Sequence, residues 1–124
     1  MEAIIYAVRC LPTLSSEEFH RYWLNTHGPL ARKHLKALGA SRYVQVHTVD
    51  DPINELLKAS RGITEEPYDG IVVVTGDREK VIKAMSTDKG HRAMAELIED
   101  EKNSIDFSRS AIWIAQEHVI FESK

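Results

Sequence analysis

The sequence predicts an α+β domain in which helices cover one face of an antiparallel four-stranded sheet, in split β-α-β order. Apolar and β-branched runs lie near residues 3–10, 41–48, 71–75 and 111–121. Within the first pair of strands, and again within the second, the apolar spacing switches to three- and four-residue steps with capping signals. The middle connection, residues 50–68, has room for only a short helix.

Each element has a local reason. Residues 3–10 alternate Ile4, Tyr6 and Val8 with Ala3, Ile5 and Ala7, so both faces are largely apolar and both are expected to be covered. Ser15 and Glu18 form a capping-box pair, and Phe19, Tyr22, Trp23, Thr26 and Leu30 recur along one helical face. Gly28 interrupts that pattern, and Pro29 suits the first turn of a new helix. The sequence therefore predicts a sharp corner with His27 at the end of the first helix. The second helix runs from Leu30 to about Leu38 and stops at Gly39. On the strand at 41–48, Val44 and Val46 share one face, and Tyr43, Gln45 and His47 share the other. The valine face is expected under the helices and the polar-aromatic face on the far side of the sheet. Asp51 and Pro52 start a short helix carrying Leu56 and Leu57, in a segment suited either to a lid or to a surface excursion. Ile71 to Thr75 reads as a buried central strand. Two helices follow, with Val81, Ile82 and Met85 inward, then Met94, Leu97 and Ile98 inward after the Thr87-Asp88 cap. A last strand spans Ala111 to Phe121.

Bulk properties narrow the function. At 124 residues the chain is expected to form one domain, residues 1–124, with one core. The net charge of −3 and the absence of a basic, aromatic-laced stripe argue against nucleic acid as a partner. No apolar run approaches the roughly 20 residues of a membrane helix, and the start of the chain lacks a signal-peptide pattern. A single cysteine, Cys10, fits a reducing compartment, so a cytoplasmic location is expected. With all helices on one face, the other sheet face is left bare, and pairing two such faces about 10 Å apart predicts a homodimer.

The run Phe19, Tyr22, Trp23, His27, Gly28, Pro29 and Leu30 resembles the hallmark of the EthD family. Tyr43-Val44-Gln45, Asp69-Gly70-Ile71, Ile105-Asp106 and Arg109-Ser110 extend the resemblance over most of the chain. It implies a ferredoxin-like fold assembled as a dimeric α+β barrel. It also points to His27 as the principal functional residue, in a family with several chemistries.

Histidine exchanges protons near neutral pH, which makes His27 the first candidate base. Tyr43 is a candidate donor to a developing enolate oxygen, and Asp106 a candidate orienting carboxylate. Gln45, His47 and Trp23 are candidate substrate-binding residues. Metal-ligand spacing is absent: there is no His-x-His, no His-Glu-x-x-His and no cysteine pair, so no cofactor is expected. These readings favour a cofactor-independent lyase or isomerase acting on a small hydrophobic carbonyl compound or lactone. Relatives of that type, acting on lactones and aromatic polyketides, belong to the same superfamily. Two alternatives stay open: a ligand-binding accessory of an oxidative degradation system, and a cofactor-free oxidoreductase.

Overall fold

The computed structural model describes residues 2–124. Strand β1 (Glu2–Val8) leads to helix α1 (Ser16–Tyr22), a π-helical turn (Trp23–His27) and helix α2 (Gly28–Ala37). Strand β2 (Ala40–His47), the short helix α3 (Ile53–Ala59) and strand β3 (Gly70–Gly76) follow. Helices α4 (Arg78–Met85) and α5 (Asp88–Glu101), a 3₁₀ turn (Phe107–Arg109) and strand β4 (Ala111–Gln116) complete the order. All strands pair antiparallel in the order β2-β3-β1-β4, the ferredoxin-like arrangement anticipated above.

The capping box forms in both directions, Glu18 N donating to Ser15 Oγ and Ser15 N to Glu18 Oε1. The expected corner at Gly28 does not. Gly28 keeps right-handed helical angles (φ −53°, ψ −52°), and its N–H reaches back five residues to the Trp23 carbonyl. One wide turn therefore joins α1 to α2 without a break, and His27 sits within a continuous helical path. The extra residue in that turn re-phases the buried stripe. Phe19, Trp23, His27 and Ala31 are all buried at steps of four, whereas Thr26, predicted inward, is exposed. Gly39 ends the path at φ 94°, a conformation that favours glycine.

The two faces of β2 are also the reverse of the expectation. Tyr43 packs against the core formed by Val8, Phe19, Trp23, Val72 and Ile105, beneath the helices. Strand alternation then places Val44 and Val46 on the side away from them. The reason lies across the sheet: β2 pairs Tyr43 with Val74 and Gln45 with Val72, and those valines line the space under α2 and α5. The opposite face carries a row of Val44, Val73, Ile5 and Trp113 through successive pairings.

Two smaller expectations also fail. Ile82 turns outward, more than half exposed, because α4 lies on the sheet through Val81 and Met85. Strand β4 ends at Gln116, which pairs with Glu2, and Val119, Ile120 and Phe121 continue beyond it as exposed chain. The segment 50–68 lines neither of the two main hollows, and α3 buries none of its residues.

Candidate functional site

Between the sheet and the helices lies a cavity of about 380 Å³. Its wall is almost entirely apolar: Ile4, Val72, Val74, Leu35, Leu38, Met94 and Leu97 contribute, with Trp23 and Ile105. Four polar side chains line the same space: Tyr6, His27, Tyr43 and Glu101. A small set of polar groups converging on an apolar hollow is the usual composition of a small-molecule site.

His27, only 4% exposed, enters from the end of the π-turn. Its Nδ1 lies 2.8 Å from Asp100 Oδ2 near the end of α5. A carboxylate accepts there, so Nδ1 carries a proton, and whenever the ring is neutral its lone pair stands on Nε2. Nε2 in turn stands 4.0 Å from Glu101 Oε2. Asp100 is itself held by Tyr22, whose hydroxyl donates to Oδ1 at 2.6 Å and accepts from Asn103 Nδ2 at 3.2 Å. Burial pushes the Asp100 carboxyl up, but the hydrogen bonds from Tyr22 and His27 and the His27 charge outweigh it and leave it below its usual range. Glu101 responds in the opposite direction. Burial dominates and raises its pKa, although the Tyr6 hydroxyl donates to Oε1 at 2.9 Å. Adjacent carboxylates thus differ in kind, one held ionised and one biased toward the acid form.

Tyr43 approaches from β2, and a chain of hydrogen bonds fixes the sense of its hydroxyl. The Trp23 carbonyl can only accept, so the nitrogen of the Gln45 amide must face it, at 2.9 Å. The same nitrogen donates to the Tyr43 hydroxyl at 3.0 Å. Gln45 Oε1 must then accept from His47 Nε2 at 2.8 Å, leaving His47 Nδ1 to accept from His20 Nδ1 at 2.7 Å. Tyr43 receives a hydrogen bond and keeps its own proton to donate. Burial raises its pKa, which holds it as a phenol; His47 is shifted down by burial and by His20.

The sequence candidates therefore divide. His27, Tyr43 and Trp23 share the cavity wall, and the fully buried Trp23 also has an indole N–H with no partner among the described residues. Neither Gln45 nor His47 lines this cavity: Gln45, bonded to the Tyr43 hydroxyl, lines a second hollow along β2, and His47 is bonded to Gln45. The Asp106 carboxylate caps the 3₁₀ turn, accepting from the Ser108 N–H and hydroxyl and from Arg109 Nε. The carboxylate on His27 is Asp100, and neither it nor Glu101 and Tyr6 was visible as a site residue. The only signal was indirect: three- and four-residue spacing places Asp100 and Glu101 one turn beyond the inward-facing Leu97. No group of three or more His, Cys, Asp or Glu side chains suited to a metal ion occurs among the described residues.

Fold and cavity together define a ferredoxin-like α+β domain with a largely apolar hollow between sheet and helices. The EthD domain matches residues 11–108, and the chain belongs to that family. Among solved structures, an EthD family protein from Bacillus halodurans is 22% identical with TM-score 0.57, covering 95% of this chain and 100% of its own. An EthD-like protein from Ralstonia eutropha is 13% identical with TM-score 0.60, over 97% of this chain and 95% of that one. A dimeric protein of unknown function with a ferredoxin-like fold, from Bacteroides fragilis, is 8% identical with TM-score 0.53, over 94% and 95%. These identities speak to fold alone. No curated protein is significantly similar in sequence.

Proposed function

We propose that the protein is a cofactor-independent acid–base enzyme, of lyase or isomerase type, acting through an enolate on a small hydrophobic carbonyl compound or lactone. The observation that carries this reading is that His27, with Nδ1 bound to Asp100, and Tyr43 line one apolar cavity. His27 Nε2 removes a proton alpha to the carbonyl, and the electrons of the broken C–H bond move onto the carbonyl oxygen. Tyr43 donates a hydrogen bond to that oxygen as charge develops, the arrangement expected of an enolate stabiliser. Asp100 holds the imidazole and favours the imidazolium that forms.

Glu101 supplies the second half of the cycle. In its acid form it gives a proton to a departing hydroxyl, which leaves as water as the enolate electrons close the new double bond. Imidazolium and carboxylate then face each other across 4.0 Å, and the proton returns from His27 to Glu101. In an isomerisation the proton goes back to a different carbon, and no group departs. Proton transfer of this kind contributes about 10²–10⁴-fold, and exclusion of water from the apolar wall strengthens each polar contact.

Proton–deuterium exchange tests the proposal without the natural substrate. Wild-type protein in D₂O is expected to accelerate exchange at the alpha carbon of bicyclic ketones such as 1-tetralone, followed by NMR. His27→Asn should abolish the acceleration and Tyr43→Phe should reduce it. Exchange at the buffer rate with every ketone and lactone of such a panel would overturn it. We further propose that the chain acts as one domain in a cytoplasmic homodimer. Cys10 as sole cysteine, the apolar row on the helix-free face, and the dimeric Bacteroides fragilis neighbour support that assembly.

A further inference from the structure

We infer that the ligand carries an anionic group, a carboxylate or a phosphate, held outside the cavity by Arg32, Lys36 and Arg42. This deepens the reading of the cavity as a ligand site and rests on it. A second hollow, a groove of about 680 Å³, runs along α2 and the edge strand β2. Leu35, Ala40 and Tyr43 line both the groove and the cavity, so the two adjoin with only those side chains between them. The groove wall contains three cations and no carboxylate, in a protein whose net charge is −3. Among the described residues, none of the three cations has an acidic side chain within 4.0 Å.

Ordinary helix chemistry accounts for only one of them. Lys36 lies in the last turn of α2, where a cation offsets the carbonyl end of the helix. Arg32 stands one turn earlier on the same face, a like-charge pair that disfavours the isolated helix. Arg42 joins them from the neighbouring strand. Together they make a site for a compact anion, since guanidinium groups pair with carboxylate and phosphate oxygens in matched geometry.

The charge on the other side of Tyr43 fixes which way such a ligand enters. Glu101 lines the cavity beside His27, with Asp100 bound to the imidazole, so an anion pushed inward meets carboxyl groups. With its apolar body in the cavity and its charged end in the groove, the same molecule meets complementary surfaces at both ends. The reactive carbonyl then lies between, beside Tyr43, the side chain shared by both hollows.

A pair of probes that differ only in charge tests this. Binding of 3-(2-naphthyl)propionate and of its primary amide would be measured by calorimetry in 50 mM and 500 mM NaCl. The proteins are wild type and the triple variant R32S/K36S/R42S, whose changes lie at exposed positions. The carboxylate is expected to bind wild type about fivefold or more tightly than the amide at low salt, with the gap shrinking in high salt. In the triple variant the preference should vanish while amide affinity stays unchanged. Equal affinity of wild type for the two probes overturns the anion subsite and leaves the cavity reading standing. Failure of wild type to bind either probe overturns both.

Discussion

Asp100 Oδ2 lies 2.8 Å from His27 Nδ1, although 73 residues separate the two in sequence. The contact joins the π-turn to the end of α5 and decides that Nδ1 of His27 is the nitrogen carrying a proton toward Asp100. Asn at position 100 keeps the shape but presents an amide that is uncharged and no longer favours the imidazolium. We therefore expect Asp100→Asn to lower kcat for alpha-proton exchange by about 10²-fold or more with little change in KM. A rate within twofold of wild type would remove Asp100 from the proposed mechanism.

Glu101 leads to a prediction about pH and stability. Its carboxyl titrates higher in the folded protein than in the unfolded chain, mainly through burial. The folded state then binds more protons in the interval between the two pKa values, so stability falls as pH rises through it. Below the unfolded value both states are protonated and the penalty is absent. Glu101→Gln keeps a hydrogen-bonding group for Tyr6 without the charge. Its Tm relative to wild type should therefore rise with pH from the acidic range upward and level off above the folded pKa. A Tm difference independent of pH would contradict it.

Asp100 behaves in the reverse sense, because its folded pKa lies below the unfolded one. Its contribution is fully present above the unfolded pKa and is lost as pH falls through the folded value. Asp100→Asn should thus match wild type in Tm in strong acid and fall behind it as pH rises past the ordinary carboxylate range. Thermal melts followed by circular dichroism at a series of pH values read this directly.

The sequence carried the order of elements along the chain, the capping box and the Gly39 stop, because each depends on neighbours within a few residues. What it did not carry depends on partners far along the chain. The phase of the buried stripe past Trp23 is set by a π-turn whose Trp23 carbonyl is also held by Gln45 from β2. The facing of β2 is settled by its pairing with Val72 and Val74, because both sides of that strand are compatible with burial. The sequence offers Asp106 as the partner of His27, and only the lie of helix α5 against the sheet brings Asp100 there instead. One caps a turn, and the other reaches the imidazole.

The face of the sheet away from the helices yields a prediction on assembly. Val46 and Trp113 are each about half exposed there, 50% and 48%, on a face that also carries Val44, Ile71, Val73 and Ile5. Such a surface is expected to pair with its copy in water. Light scattering after size exclusion should give twice the chain mass of 14.1 kDa. Trp113→Glu, which places a charge in the proposed contact, should shift the population to monomer. A monomeric wild type at micromolar concentration would exclude the shared barrel.

Gly70 sets the position of the cavity wall. A Cβ at this residue would collide with Trp23 Cζ3 and fall 2.6 Å from Cη2 and 3.0 Å from the Val46 carbonyl oxygen. The indole cannot simply swing aside, because it is fully buried and stacks on Phe19 at 5.2 Å between ring centroids, with His47 at 4.7 Å. Gly70→Ala must therefore displace either the ring or the β2–β3 pairing, and overpacking of this kind costs about 1–3 kcal/mol. Chemical denaturation should show that loss with an unchanged m-value. Because Trp23 also lines the cavity, the same variant should bind the naphthyl amide more weakly than wild type. A second substitution, Trp23→Phe, removes the ring atoms nearest the new methyl. If the clash is the cause, Gly70→Ala should cost less in the Trp23→Phe background than in wild type. An equal cost in both backgrounds would place the strain in the backbone of β3 instead.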